Sequence, residues 1–306
     1  MIDPQLVADA FKKTTTAVQF PPPTSTSVAP IPTIIPDVPH FEKIGDAGHK
    51  TLWVIFVVML LSTLTAGFLT WRIPTQKRLF HILTTFILAI SAISYYAQAT
   101  GSGSFFVHHV LTIPHKHHIP DTHEHVFRQV FWARYVDWAL TSPLIVLNLA
   151  FLAGLDGSNI LIALFADWAM VFTGWFFAYA NKEGQRWGWY AMSCVAFLVV
   201  VHKLGVSGRR AVLNKDRTIV KIFAWIAGYE MIVWALYLIE TAIGDGARRS
   251  TVDDEIIALA VIDILAKPIF GFWLLFAYTK YVPSIEGFWS HGLSSEGTLR
   301  LDEERA

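Results

Sequence analysis

Glu255-Ile-Ile-Ala-Leu-Ala-Val-Ile-Asp263-Ile-Leu-Ala-Lys267-Pro-Ile-Phe-Gly-Phe-Trp-Leu-Leu-Phe-Ala-Tyr-Thr-Lys280 is an apolar run with an acid and a lysine at its middle. It exceeds the roughly 20 residues that cross a bilayer as a helix. A charge at mid-bilayer costs about 2.5–3.5 kcal/mol on insertion scales, so each one needs a partner or a task. Asp263 and Lys267 are four residues apart, which puts both on one helix face, about one turn from each other.

Six further apolar segments precede this one: Thr51–Trp71, Leu79–Ala99, Val126–Leu149, Ile160–Ala180, Trp187–Val201 and Ile219–Ile243. With Glu255–Lys280 they predict an all-α membrane protein of seven transmembrane helices. Composition agrees, since apolar residues make up 54% and charged residues 16% of the 306. Soluble domains average about 25% charged. A formal net charge of zero argues against nucleic acid as a partner, and the single cysteine, Cys194, excludes a disulfide scaffold.

Three zones follow. Residues 1–50, with eight prolines from Pro4 to Pro39, read as an extended leader rather than a cleaved signal peptide. Residues 51–280 form the helical domain, and 281–306 a tail. The first loop carries Arg72, Lys77 and Arg78, and the fifth carries Lys203, Arg209, Arg210, Lys215 and Arg217. Basic loops stay in the cytoplasm, so the N-terminus is expected outside and the tail inside, with the plasma membrane as the expected location. The second loop, about 100–125, then lies outside. Its histidines, among them His115, His117, His118, His123 and His125, have no Cys or carboxylate framework beside them, so a solvated loop is expected and no metal site.

The third segment carries Arg134-Tyr-Val-Asp137-Trp-Ala-Leu-Thr-Ser-Pro143. Desolvation pushes a lysine buried in an apolar helix toward neutrality, whereas two nearby carboxylates hold it protonated. A purely structural ion cluster contributes little net stability. Trp138, Trp189, Trp234 and Tyr237 lie near the middle of their helices and could wall a slot for a long, flat, conjugated ligand. A central lysine with two acids makes a covalent Schiff base the expected chemistry. There is no phosphate-binding glycine loop, metal cage or nucleophilic triad, so enzyme activity is not expected.

The Arg134–Pro143 run resembles the third-helix signature of microbial (type 1) rhodopsins, and Asp263-Ile-Leu-Ala-Lys267-Pro resembles their retinal-attachment motif. The likeness covers about residues 45–300 and is nearest to filamentous-fungal opsins of the Neurospora type. It includes the Met1-Ile-Asp-Pro-Gln-Leu-Val-Ala-Asp9 start and the Trp289-Ser-His-Gly-Leu293 tail motif.

The resemblance implies that Lys267 carries all-trans retinal as a protonated Schiff base. Asp137 would be counter-ion and primary proton acceptor, Asp263 the second counter-ion and Arg134 the extracellular gate. Thr141 would hydrogen-bond the Asp137 carboxylate. Tyr95, Trp138, Met170, Gly174, Trp189, Ser193, Trp234 and Tyr237 would surround the chromophore, with Asp167 a protonated acid near its ring. Glu255 would belong to a proton-release group, with Asp245 as a looser second member.

Asn148 departs from the pattern. Outward proton pumps of the family carry an acid there that returns a proton to the Schiff base, and an amide cannot release one. A slow photocycle is therefore expected. Glu230, four residues before Trp234 on the same face, is a candidate substitute donor. Leu238 and Thr241 replace a usual proline and tryptophan, and Glu240 stands where an apolar residue is usual and is expected to face away from the retinal. The expected function is a light-driven outward proton pump with slow reprotonation, in the lipid bilayer and open to homo-oligomerisation. The alternative is a slow-cycling sensory photoreceptor with an unidentified signalling partner.

Overall fold

The computed structural model describes residues 39–74, 77–113 and 122–281. The leader to residue 38, the tip of the second loop with His115, His117 and His118, and the tail beyond Tyr281 lie outside the described residues.

Seven helices are long and apolar enough to span a membrane: α1 Asp46–Arg72, α2 Leu79–Ala99, α3 Trp132–Ala153, α4 Gly157–Tyr179, α5 Glu183–Val212, α6 Arg217–Gly246 and α7 Val252–Tyr281. Their outward faces are apolar, with Phe165 74% and Trp225 73% exposed, while Asp137, Asn148, Asp167 and Glu230 are fully buried. A bundle with lipid outside and its ionisable groups inside has this distribution. Close approach relies on small residues. A Cβ added at Gly271 of α7 would meet the Thr84 methyl of α2 at 2.7 Å. Gly154 ends α3 in the left-handed conformation, φ +73°, which suits glycine as a C-terminal cap.

The second loop differs from expectation. It is a β-hairpin, β2 Phe105–Ile113 antiparallel to β3 Thr122–Val130, with β1 His40–Glu42 added parallel to β3. Val126–Val130 therefore belongs to a strand, and α3 starts at Trp132. Val126, Arg128 and Val130 are buried at a spacing of two, the period of a strand, and β1 and β2 supply the hydrogen bonds that a helical turn would have supplied. His108 Nε2 and His125 Nδ1 approach to 2.7 Å across this hairpin. Burial, then the nearby Arg248 guanidinium, lower the His109 pKa to about 4.

Three helices contain a π turn: His202–Ser207 in α5, Ala242–Gly246 in α6 and Leu265–Ile269 in α7. The last holds Lys267 and Pro268. Proline has no N–H to give to the α-helical ladder, and single π turns recur at functional positions.

The bundle core is divided lengthwise. Ile145, Val146, Leu149, Phe223, Ile226 and Trp234 belong to an apolar cluster that fills the half toward the basic loops. The half toward the hairpin is where most of the buried charge collects.

Candidate functional site

Lys267 is 2% exposed and lies between two carboxylates. Its Nζ, the atom that the resemblance assigns to imine formation, donates to Asp137 Oδ2 at 2.5 Å and pairs with Asp263 Oδ1 at 2.9 Å. The two acids are held differently. Asp263 also accepts from the Tyr95 hydroxyl and, at 2.5 Å, from Tyr237. Among the described residues, Asp137 accepts one further bond at its carboxylate, from Ser91 Oγ at 2.8 Å. The expectation for Thr141 is corrected here: its hydroxyl donates at 2.8 Å to the Asp137 backbone carbonyl, not to the carboxylate. A threonine one turn downstream of a carbonyl commonly bonds back to it, and it has only one proton to give. Ser91 takes the role instead.

Toward the hairpin, Arg134 Nη1 donates to Glu255 Oε1 at 2.6 Å, and Arg128 Nη2 donates to Glu255 Oε2 at 2.9 Å. Arg128 comes from β3 and also holds Glu42 of β1 at 2.9 Å. Burial opposes its charge, but Glu255 and Asp245 more than offset this, and its pKa lies above the usual value. Tyr135 donates to Asp245 Oδ2 at 3.0 Å. Lys267, Arg134 and Arg128 thus face Asp137, Asp263 and Glu255 in a line of three cations and three anions. Sequence alone does not single out Arg128, because the apolar run Val126–Leu149 resembles the start of a helix.

From Lys267 a largely apolar cavity runs between α3, α4, α5 and α6. Trp138, Met170, Gly174, Ser193, Trp234 and Tyr237 line it, together with Leu238 and Thr241. Trp189 does not. Its ring packs 5.0 Å from Phe176, and Tyr190 is the wall in its place, its hydroxyl donating to the Leu238 carbonyl at 3.0 Å. One residue is about 100° of helix, the difference between a cavity wall and a neighbour of the exposed Phe176. Tyr95 bonds Asp263 and is not part of this wall. Asp167 is buried behind the cavity and accepts from Ser142 at 2.7 Å.

The cavity fits a conjugated chain with an aldehyde at one end. Aromatic rings flank it, an amine closes it, and the buried Trp138 Nε1 has no hydrogen-bond partner among the described residues. Gly174 leaves room beside Ser193, whose hydroxyl a Cβ there would meet only at 3.8 Å.

On the other side of Lys267, Asn148 and Glu230 are both 0% exposed; among the described residues their side-chain polar atoms have no partner at strict bonding geometry, with the Trp234 side chain beside Glu230. Asn148 lies 11 residues beyond Asp137, about 16 Å along α3.

A bundle of seven spanning helices whose last helix offers a buried lysine to an aromatic cavity defines a class of chromophore-binding membrane proteins. The family of bacteriorhodopsin-like proteins matches residues 47–281, and the chain belongs to it. The family implies a retinal chromophore bound through the lysine. The chain is 42% identical to Opsin-1 of Neurospora crassa over 99% of its length and 100% of that protein. The crystal structure of a light-driven proton pump from Leptosphaeria maculans is 44% identical, with a TM-score of 0.77 over 79% of this chain and 98% of that one. A light-driven proton pump from Coccomyxa subellipsoidea is 30% identical, with a TM-score of 0.70 over 77% and 99%.

Proposed function

We propose that the chain is a light-driven outward proton pump whose inner proton-return step is slow, with the hairpin outside and the tail in the cytoplasm of a plasma-membrane protein. The 2.5 Å contact between Lys267 Nζ and Asp137 carries this reading, and the likeness to the Leptosphaeria pump supports it. Lys267 Nζ would hold all-trans retinal as a protonated Schiff base, and the bound group would supply light absorption and isomerisation. Asp137 takes the proton from Nζ. Asp263, its charge held by two phenols, stays ionised and keeps the site from carrying excess positive charge. Arg134 then interacts more strongly with the carboxyls near Glu255, and a proton leaves on the hairpin side. This is transport, not an enzyme reaction on a substrate.

Return is slow because the inward half is packed mainly with apolar side chains. Asn148 has no proton to give, and the apolar cluster separates Lys267 from the basic-loop end. Glu230 is the carboxyl in that half and the candidate donor. Asn148→Asp is expected to speed recovery after a flash at least tenfold, toward the roughly 100-fold that a positioned proton-transfer group contributes. Glu230→Gln is expected to slow it severalfold, and unchanged recovery at several pH values would end the Glu230 assignment.

A second reading is supported by the same features. A long deprotonated state would let the chain act as a photosensor, with exposed Arg209 and Arg210 as a docking surface for a signalling partner. Illuminating cells that make the protein, while following external pH, separates the two. Acidification abolished by a protonophore is the result expected of a pump. No net change combined with a second-long photocycle would overturn pumping and favour signalling.

A further inference from the structure

The proton-release group needs a carboxyl that can hold a proton in the dark and give it up on demand. Glu255 is badly placed for this. Both its oxygens are paired with guanidinium groups, Arg134 at 2.6 Å and Arg128 at 2.9 Å, and two such partners hold a carboxylate ionised. Asp245 is buried and accepts from Tyr135.

Glu240 is different. The expectation that it faces away from the retinal is compatible with the cavity, which it does not line, but it faces the charged cluster. A Cβ at Gly244 would meet Glu240 Oε1 at 3.2 Å and Glu255 Oε2 at 3.4 Å, so the two carboxyls flank that glycine. Glu255, Arg134, Asp245 and Arg128 are its charged neighbours. Five residues of α-helix would turn Asp245 about 140° away from Glu240. The π turn Ala242–Gly246 winds more residues into each turn, which draws both acids toward one face. No hydrogen bond or ion pair holds Glu240 among the described residues, and it is half-buried where Glu255 and Asp245 are buried.

We infer that Glu240, not Glu255, holds the proton that this cluster releases on illumination, with Glu255 fixed as the anion between two arginines. The inference rests on the pump reading above. Two carboxylates beside one glycine repel, so a single proton shared by the pair belongs on the one with no cation or donor of its own. When Asp137 gains the proton from Lys267, the positive charge of Arg134, which lies near Glu240, favours ionised Glu240. The Glu240 O–H bond breaks, its proton passes to water at the hairpin end, and the carboxylate is later refilled with the proton that Asp137 holds.

Infrared difference spectroscopy on the retinal-loaded protein, read together with a pH-indicator dye, tests this. The wild type is expected to lose a protonated-carboxyl band as the dye reports early release. Glu240→Gln is expected to lack that band and to delay release at least tenfold, to the end of the cycle. Glu255→Gln is expected to keep the band. A band that survives Glu240→Gln, or one that disappears in Glu255→Gln alone, would overturn the assignment. If Glu240→Gln fails to form the visible chromophore, the Glu255→Gln arm still decides. Net transport in wild-type vesicles is measured separately, and its absence would sink the pump reading without altering which residue owns the band.

Discussion

Lys267→Ala is expected to give a bundle that takes up retinal without developing any visible absorption band. The amine is the one group at the closed end of the cavity able to form an imine, and it is 2% exposed between Asp137 and Asp263. Its removal leaves two buried carboxylates facing each other. Breaking a buried pair by deleting one partner costs about 3–5 kcal/mol, a cost the acids reduce by taking up protons. The helices should therefore persist, and circular dichroism should show them while the visible band is absent. Adding a small alkylamine with retinal should restore part of the band, because the vacated space and the two acids remain. A visible band in Lys267→Ala without added amine would place attachment elsewhere.

Asp137→Asn is expected to abolish light-driven acidification while leaving retinal bound. The proton on Lys267 Nζ faces two carboxylates, but they are unequal acceptors. Tyr95 and Tyr237 both donate to Asp263, whereas among the described residues Ser91 is the one further donor to the Asp137 carboxylate. Each donor to a carboxylate favours its charged form, so the proton goes to Asp137 and its loss removes the acceptor. Proton transfer through a positioned group contributes about 10²–10⁴-fold, and transport should fall by at least the lower figure. The absorption band should also move to longer wavelength, since the anion that stabilises positive charge at the nitrogen in the ground state is gone. Asp263→Asn should shift the band in the same direction but keep measurable transport. Equal loss in both variants would refute the inequality.

The seven helices and the four charges at their centre were legible because lipid imposes two simple demands: long apolar runs, and a reason for every charge among them. Arg134, Asp137, Asp263 and Lys267 could be picked out from spacing alone. The features that escaped depend on contacts between distant segments. The β2–β3 hairpin looked like a solvated loop because its strands are rich in histidine, and Arg128 was hidden inside it. Trp189 and Tyr190 differ by one position, and periodicity alone does not choose between them. Thr141 has two acceptors within reach, a carboxylate and its own helix carbonyl, and local geometry favours the second. The π turn in α6 lies beyond Glu240 and brings Asp245 round toward its face, which a uniform helical period does not show.

The apolar cluster between Lys267 and the basic loops has an electrical consequence. Membrane voltage drops mainly across the least polarisable stretch of its path. Here that stretch is the packed half containing Phe223, Ile226 and Leu149, not the half threaded by Arg134, Arg128 and Glu255. A unit charge carried across a full 100 mV exchanges about 2.3 kcal/mol with the field, so in the proposed pump most of that work falls on the proton entering from the basic-loop end, the proposed cytoplasmic side. An interior-negative potential opposes this entry. The resting voltage of the cell would then act as a brake on the slowest step, lengthening the illuminated state in energised cells and shortening it in depolarised ones.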